Sequence, residues 1–341
     1  MKIGVELTDL SNFTVTTRCN SRCRMCNIWR MGGGPEPTLE QVEEFLQTNR
    51  RALSGLRFVQ LTGGEPSLRE DLPEIVAAFH RAAPQAQIWI PTNGLKPFEI
   101  YEMALRAMGQ VEPHRLGITV SLDGEGSLHD KMRGVDKAYQ KAIQTLQLLV
   151  GLKEKGLKVS TGFTMTRENF QDALTVQRIS YRLGADYSFR PFNISKHYFK
   201  NTESGLDAPP DVEDILDAMA REMVHNKGLR ASITGLAYIQ GAKEYLESGR
   251  RLPCTAADKS VFVDAEGEVH PCIVFESPMG NIYEEPLEEI LASKEAQEAR
   301  AAVQAGNCPG CWLECEAYRE LRNDRGRLLR AALWGLRLYA L

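Results

Sequence analysis

Six short apolar segments alternate with segments of helical pattern over roughly the first 190 residues of the chain. The predicted strands are 13–17, 58–61, 87–90, 116–121, 158–163 and 187–190, and the predicted helices are 38–48, 72–82, 98–108, 137–155 and 169–183. Alternating strands and helices form parallel sheets with right-handed crossovers. Because a closed eight-unit barrel takes about 250 residues, six units predict an α/β fold with an open, partial (β/α)6 TIM-like barrel.

Chemically distinctive segments follow four of the predicted strands. A cysteine-containing loop follows the first strand, Gly63-Gly64 the second, Asn93 the third and Asp123 the fourth. In open α/β sheets the ligand site lies outside the carboxyl ends of the strands. We therefore expect these four segments to share one rim of the barrel.

The cysteines of the chain form two groups separated by a long stretch without cysteine. The first group is Cys19, Cys23 and Cys26, and the second is Cys254, Cys272, Cys308, Cys311 and Cys315. Eight cysteines in 341 residues are too few for a secreted disulfide scaffold, and the first residues contain no apolar signal segment. In a reducing cytoplasm, cysteine clusters usually serve metal or redox chemistry. We therefore expect a cytoplasmic protein with two metal sites, the second on a separate module.

The overall composition excludes some other classes of protein. Apolar residues make up 43% of the chain and charged residues 25%, which are values for a globular protein and not for a disordered or collagen-like one. The net charge is −4. Because nucleic-acid-binding proteins are usually basic, we expect no nucleic-acid partner.

The first cysteine group places three thiols within eight residues, in the pattern Cys19-x3-Cys23-x2-Cys26. Soft thiolate ligands favour iron–sulfur clusters or zinc. A closed zinc site needs four ligands, and the first histidine of the chain is as far away as His80. Three thiolates on a [4Fe–4S] cluster would leave one iron open to an exogenous ligand. The alternative is a zinc knuckle that takes a distant fourth ligand.

Together with the segment TGGEP at 62–66, this cysteine loop resembles the radical S-adenosylmethionine (radical SAM) enzymes. In that family a CxxxCxxC loop follows the first strand of a partial (β/α)6 barrel and a GGE motif follows the second strand. The resemblance implies a SAM-binding [4Fe–4S] cluster held by the three cysteines, with SAM as the second cofactor. Glycine allows close backbone approach to a ligand, and Glu65 can accept hydrogen bonds from an ammonium group. The residues of this segment that the resemblance assigns to SAM are Gly63, Gly64, Glu65 and Pro66.

Five further residues are candidates for contact with SAM. Ser121 and Asp123 end the fourth strand, where related enzymes contact the SAM ribose or carboxylate, although a serine there is also a common turn former. Arg190 ends the sixth strand and could bind the SAM carboxylate or form a structural salt bridge. Asn93 is a weaker candidate. The family usually has an aromatic residue before its third cysteine, and the thioether of Met25 could cover the adenine instead. Nearby, the segment 129–134 is expected to be a structural loop.

The second cysteine group resembles the SPASM and twitch extensions of radical SAM enzymes. Alternating segments at 260–264 and 268–270 predict a β-hairpin between Cys254 and Cys272, followed by a GNI turn, a helix at 287–291 and three more cysteines. A full SPASM pattern has seven cysteines, so five imply the twitch form with one auxiliary [4Fe–4S] cluster. The expected ligands are Cys254, Cys272, Cys308 and Cys311, with Cys315 spare or in place of one of the last two. A structural zinc site is the alternative, and His270 is expected at the surface.

These patterns divide the chain into four parts. We expect a radical SAM partial barrel at 1–200, a helical connector at 201–250 and a SPASM/twitch-like auxiliary-cluster domain, a small β-hairpin plus helix, at 251–320. Residues 321–341 form an apolar C-terminal helix with interspersed arginines, too short to span a bilayer. This helix is expected to dock on its own protein, or else to contact a membrane surface or a dimer partner.

The resemblance also implies a reaction. Reductive cleavage of SAM would give a 5′-deoxyadenosyl radical that abstracts a substrate hydrogen, and an auxiliary cluster accepting an electron would make the protein an oxidoreductase. A flavodoxin- or ferredoxin-type protein would donate the first electron. Only 18 residues precede Cys19, so a peptide-recognition domain is not expected there and a small-molecule or sugar-like substrate is favoured. The alternatives are a peptide maturase with a separate recognition protein and a non-catalytic iron–sulfur or zinc protein. No general acid or base can be named.

Overall fold

One nine-stranded sheet forms the centre of the computed structural model, which describes residues 7–34, 36–209 and 211–339. The order of the strands in the sheet is β6-β5-β4-β3-β2-β1-β7-β8-β9. The strands are β1 Asp9–Thr16, β2 Phe58–Gly63, β3 Gln87–Thr92, β4 Leu116–Ser121, β5 Lys158–Met165, β6 Asp186–Pro191, β7 Ser260–Val263, β8 Glu268–His270 and β9 Gly280–Asn281. Neighbours among β1 to β6 pair in parallel. The predicted α/β fold with an open parallel barrel sheet is therefore confirmed.

Twelve α-helices accompany the sheet in the described residues. They are α1 Leu39–Thr48, α2 Leu72–Ala82, α3 Pro97–Met108, α4 Ser127–Arg133, α5 Ala138–Val150, α6 Ala173–Leu183, α7 Glu213–Lys227, α8 Leu229–Ser248, α9 Leu287–Ala292, α10 Lys294–Gln304, α11 Glu314–Leu321 and α12 Arg325–Tyr339. None of them is long and apolar enough to cross a membrane. A capping box at Thr38 and Gln41 begins α1, as the sequence predicts.

Strands β1 and β5 are buried along almost their whole length. In β1, for example, every residue after Asp9 is buried. Phe13 packs edge-on against Phe79 of α2, with ring centroids 5.1 Å apart. Burial of both strand faces fixes the strands firmly, so the loops at their carboxyl ends are held by a rigid support.

The C-terminal hairpin belongs to the same sheet as the barrel. Strand β7 pairs in parallel with β1, with Asp9 opposite Ser260, and β8 and β9 extend the sheet by antiparallel pairing. Arg319 of α11 also forms an ion pair with Asp9 at 3.0 Å. The hairpin thus continues the sheet of the barrel, because β1 offers it a free edge.

Three local expectations are corrected. The segment expected to be a loop at 129–134 is the end of α4 and its C-cap, Gly134. The helix predicted to reach residue 155 ends at Val150, since Gly151 follows it. His270 is only 3% exposed and not at the surface, because its ring stacks on Phe262 of the neighbouring strand. Residues 340–341 of the predicted C-terminal helix lie outside the described residues.

Candidate functional site

A cavity of about 900 Å³ lies at the carboxyl ends of the parallel strands. The loops after β1, β2, β3, β4 and β6 all contribute to its wall. Ten residues that the sequence predicts for the site line it: Cys19, Cys23, Met25, Cys26, Gly63, Gly64, Glu65, Asn93, Ser121 and Arg190. Pro66 and Asp123 are buried but do not belong to this lining.

The two glycines of the GGE segment lie directly on the backbone that leads into the cysteine loop. The amides of Gly64 and Glu65 donate to the carbonyl oxygens of Thr16 and Arg18, each at 2.8 Å. A Cβ atom on Gly63 or Gly64 would come within 2.0 Å of the Thr16 oxygen or 2.1 Å of the Arg18 oxygen. The sequence analysis attributes these glycines to a nearby ligand. The structure shows that the backbone of the chain itself also leaves no room for a side chain at either position. The glycines let the GGE segment fix the start of the cysteine loop.

The carboxylate of Glu65 joins the ends of β2 and β3. Its Oε1 atom accepts hydrogen bonds from the hydroxyls of Ser67 (2.6 Å) and Thr92 (2.7 Å), and its Oε2 atom accepts one from the Asn93 amide at 2.6 Å. The side chain is buried, which raises the pKa of Glu65. Within the described residues Oε2 has this single partner, so it retains capacity to accept a hydrogen bond from a ligand.

The cysteine loop holds its three thiols at the wall of the cavity. Cys23 is buried and Cys19 and Cys26 are half-buried. Burial raises the pKa of Cys19 and of Cys26 to about 12, so both thiols are protonated at neutral pH in the absence of a metal. Since soft metals bind the thiolate form, metal binding would release these protons.

Arg133, at the end of α4, is a site residue that the sequence analysis missed. Its Nη1 atom lies 3.5 Å from Cys23 Sγ and its Nη2 atom lies 2.5 Å from the Asp123 carboxylate. The backbone of the same turn accepts hydrogen bonds from the amides of Arg22 and Arg24, each at 3.0 Å. Arg133 thus supplies a buried positive charge at the cavity wall beside the thiols. The sequence does show this arginine within the segment 129–134, but the sequence analysis interprets that segment as a structural loop.

Asp123 is held by contacts within the chain. It is fully buried, and besides Arg133 it contacts the Thr164 amide, which donates to Oδ1 at 2.7 Å. The Asp123 amide donates to His129 Nδ1 at 2.9 Å, and burial lowers the pKa of His129 to about 4, so this histidine is neutral. The carboxylate of Asp123 pairs with Arg133, and Asp123 does not belong to the lining of the cavity. A direct contact between Asp123 and the cofactor stays a prediction.

The remaining predicted residues differ in how their side chains are engaged. The Asn93 amide group donates to Asn20 Oδ1 at 2.7 Å. Arg190 forms an ion pair with Glu314 of α11 at 3.2 Å, so it connects the barrel rim to the segment carrying the last cysteines. Ser121 lines the cavity, and its hydroxyl has no hydrogen-bond partner within the described residues. Met25 is buried against Met132 and Phe192.

The second cysteine group is also brought together by the fold. Cys272 and Cys311 are buried, and Cys254, Cys308 and Cys315 pack partly buried against the same apolar cluster, which also includes Cys26 and Leu313. Burial raises the pKa of Cys254 to about 12 and that of Cys311 to about 11. The guanidinium of Arg250 lies 3.9 Å from Cys311 Sγ. A thiolate cluster at this position would therefore lie close to the first cysteine loop, across packed side chains.

The spacing of the thiols distinguishes a cluster from a single metal ion. Among the described residues, only Asp264, Glu268 and His270 form a group of three or more metal-binding side chains whose ligand atoms all lie within 4.8 Å of one another. In a tetrahedral zinc site, with Zn–S bonds of about 2.3 Å, the sulfur atoms would be about 3.8 Å apart. Neither cysteine group meets that condition. Both groups therefore lack the spacing of a preformed zinc site.

Comparison with protein families matches two parts of the chain. A model described as the radical SAM superfamily matches residues 13–178. A model described as an iron–sulfur cluster-binding domain, SPASM, matches residues 254–316, which include all five C-terminal cysteines. The chain belongs to the radical SAM superfamily. Its cofactors are accordingly a SAM-binding [4Fe–4S] cluster, SAM and an auxiliary iron–sulfur centre, and the thiol groups described above fit them.

Named relatives of this radical SAM protein differ in what they act on. It is 25% identical over 296 residues to the sporulation killing factor maturation protein SkfB of Bacillus subtilis (strain 168), a match that covers 86% of this chain and 67% of SkfB. It is also 25% identical over 314 residues to the AdoMet-dependent heme synthase of Methanosarcina barkeri (strain Fusaro / DSM 804), covering 82% of this chain and 81% of that protein.

Solved structures show the same fold at low sequence identity. Streptococcus suis SuiB bound to S-adenosylmethionine has a TM-score of 0.61 and 16% identity, covering 85% of this radical SAM chain and 66% of SuiB. Native anSMEcpe with bound AdoMet has a TM-score of 0.61 and 15% identity, covering 96% of this chain and 98% of anSMEcpe. The present chain thus spans about two thirds of the length of SkfB and SuiB.

Proposed function

We propose that this protein is a radical SAM oxidoreductase that oxidises a substrate, or forms a bond in it, after hydrogen abstraction. When bound, the SAM-binding cluster and SAM supply a 5′-deoxyadenosyl radical, and the auxiliary cluster supplies an acceptor for the substrate's electron. One observation carries the proposal. The three-cysteine loop, the GGE segment, Ser121 and Arg133 converge on one cavity, and the auxiliary cysteines pack against its wall.

The residues of the barrel have separate roles in this proposal. Cys19, Cys23 and Cys26 would hold the SAM-binding cluster, with the Arg133 guanidinium offsetting the negative charge of the thiolates. The Oε2 atom of Glu65 would accept a hydrogen bond from the SAM ammonium, because it has spare acceptor capacity at the cavity wall.

Other residues of the lining would bind the remaining parts of SAM. The hydroxyl of Ser121 and the guanidinium of Arg133 would bind its carboxylate or ribose, since both groups lie in the lining of the cavity. Met25 would cover the adenine with its thioether. Asn93 and Arg190 line the cavity but are engaged by Asn20 and Glu314, so their contribution is to shape the site.

The auxiliary centre would be held by four of the five C-terminal cysteines. Its position in an apolar cluster shared with Cys26, Ile28 and Leu313 keeps water out of the region between the two centres. Exclusion of water protects a radical intermediate from side reactions. The thiol spacing disfavours the zinc alternative, and the convergence of the GGE segment and the cysteine loop on one cavity disfavours a non-catalytic role.

The lining of the cavity limits the substrate class. The same cavity that the GGE segment and the cysteine loop line must hold SAM as well as the reacting group. A small molecule or sugar-like compound fits this space. A single side chain of a peptide fits it equally well, and the relatives SkfB and SuiB, one a maturation protein and the other crystallised with a precursor peptide, favour a peptide maturase as the second candidate.

The accompanying assignments are part of the same proposal. A flavodoxin- or ferredoxin-type protein would deliver the electron, and the free thiols favour a cytoplasmic location. The partial barrel would occupy 1–200, the helical connector 201–250, the auxiliary-cluster domain 251–320 and the C-terminal helix 321–341. That helix would provide a further contact, with a membrane or a second copy as its partner.

Anaerobic reconstitution tests the function directly. Protein reconstituted with iron and sulfide, then given SAM and dithionite, is expected to form 5′-deoxyadenosine, measured by chromatography. A true substrate is expected to raise that rate and, when deuterated at the reacting carbon, to transfer deuterium to the product. Absence of 5′-deoxyadenosine from protein with a full complement of iron would exclude the proposed enzyme class.

Replacing Glu65 tests the SAM-binding wall. Glu65→Gln removes a charge and an acceptor from the cavity while it keeps the shape of the side chain, so we expect SAM affinity to fall roughly 10- to 100-fold, as for loss of a charged hydrogen bond. Equilibrium dialysis of the reconstituted protein with labelled SAM measures this. Glu70→Gln, at an exposed carboxylate on the same segment, is the matched control and is expected to bind normally. Unchanged affinity in Glu65→Gln would remove Glu65 from the SAM site.

A further inference from the structure

The outer face of α12 carries an unusual concentration of exposed leucines. The large apolar side chains exposed in the described chain are Met31, Phe98, Leu105, Ile194, Leu329, Leu333 and Leu336. The three leucines among them are 62%, 53% and 54% exposed, in that order. Their spacing of four and then three residues places them on one side of the helix. We call these three residues the leucine face.

The opposite side of α12 is fixed to the protein. Ala331 is fully buried, and a Cβ atom on Gly335 would lie 2.4 Å from a methyl group of Leu229 and 2.7 Å from one of Leu236, both in α8. Arg327 adds an ion pair with Glu244 of the same helix at 2.8 Å. Small residues thus let α12 approach α8 closely, and this docking directs the leucine face outward.

Arginines accompany the leucine face. Helix α12 contains Arg325, Arg327, Arg330 and Arg337 and no acidic residue. Arg327 is neutralised by Glu244, whereas no carboxylate of the described residues lies within 4.0 Å of the other three arginines. Arg330 and Arg337 are exposed and seven residues apart, so they lie two turns apart along one edge of the leucine face.

We propose that the leucine face of α12 docks this protein on an anionic membrane surface. An apolar stripe edged by arginines is the arrangement of a helix that lies in the membrane interface, with leucines at the acyl boundary and arginines on lipid phosphates. The long arginine stems allow their charged ends to reach those phosphates while the leucines stay inserted.

The charge of α12 favours a membrane over a second copy of the chain as the partner of the leucine face. Two copies joined through α12 would bring the same unpaired arginines together, and the helix offers no acidic residue to balance them. A lipid surface with negative headgroups supplies the missing charges. The contact is separate from the SAM chemistry, since none of its residues lines the cavity.

Vesicle flotation of the reconstituted protein, under anaerobic conditions, tests the proposal. Binding is expected to vesicles of phosphatidylcholine and phosphatidylglycerol at 3:1 in 0.1 M salt, and not to vesicles of phosphatidylcholine alone. Raising the salt to 0.5 M is expected to weaken binding at least tenfold because the charges are then screened.

Two triple variants separate the leucine and arginine contributions. One variant combines Leu329→Gln, Leu333→Gln and Leu336→Gln, and the other combines Arg325→Gln, Arg330→Gln and Arg337→Gln. We expect each variant to have a partition coefficient between vesicles and water at least tenfold lower than that of the unaltered protein. Phe98→Gln, at a 62% exposed position on α3, is the control and is expected to bind vesicles normally. All three variants are expected to form 5′-deoxyadenosine at the unaltered rate, which shows that they fold.

Three results would overturn the proposal. They are absence of binding to the anionic vesicles in 0.1 M salt, equal binding to both kinds of vesicle, and normal binding by the leucine triple variant. A concentration-dependent dimer in sedimentation that this variant abolishes would assign the face to a second copy instead. Failure of SAM cleavage in the unaltered protein would contradict the proposed function without affecting this contact.

Discussion

A variant with alanine at Cys19, Cys23 and Cys26 is expected to form no 5′-deoxyadenosine and to retain about four iron atoms after reconstitution, against about eight in the unaltered protein. The three thiols are the cysteines of the loop after β1, and they line the cavity with the GGE segment. Without them no iron is left at that wall to bind SAM, whereas the five C-terminal cysteines remain intact. Iron analysis and chromatography of the reaction products measure the two effects.

A control for this variant should alter the same loop without removing a thiol. Met25→Leu keeps the volume of a buried side chain and is expected to retain about eight iron atoms. Two results would contradict the assignment. One is a triple variant that still binds eight iron atoms, and the other is unaltered protein that binds stoichiometric zinc and shows no cluster absorption.

The fold of the first 190 residues could be predicted because its signals are local. Each strand shows as a short apolar run and each helix as a periodic pattern, so β4 and α2 have the bounds that the sequence predicts. The pairing of β7 with β1 could not be predicted in this way. It joins residues about 250 positions apart, such as Ser11 and Val261, and no short pattern indicates which strand edge is free.

In the candidate site, too, the residues of short motifs could be predicted and the contacts between distant segments could not. Its cysteine loop and GGE segment are compact motifs, so their residues could be named from the sequence. The pairing of Asp123 with Arg133 depends on how α4 turns back toward the cysteine loop, which no motif states. Burial could not be predicted from the motif either: the Asp123 carboxylate, predicted to contact the cofactor, is buried and forms an ion pair with Arg133.

Single alanine variants of the C-terminal cysteines, made in the background of the triple variant, should remove the auxiliary cluster. We expect Cys254→Ala, Cys272→Ala and Cys311→Ala to lose nearly all of the remaining four iron atoms. Cys272 and Cys311 are the buried thiols of the apolar cluster. Cys254 precedes the hairpin, and its Sγ atom lies 3.9 Å from the buried Glu316 carboxylate.

Cys308 and Cys315 compete for the fourth position, so one of the two alanine variants is expected to have a smaller effect. Cys308 forms a Cys-x2-Cys loop with Cys311, and this loop can present two thiolates to one centre with little strain. Cys315 lies in the first turn of α11, and burial together with the nearby thiols of Cys311 and Cys272 raises its pKa. Iron content and the absorption spectrum of each variant decide which thiol is the ligand. A full cluster in Cys254→Ala would remove Cys254 from the ligands and contradict the twitch assignment, in which one cysteine on each side of the β7–β8 hairpin binds the cluster.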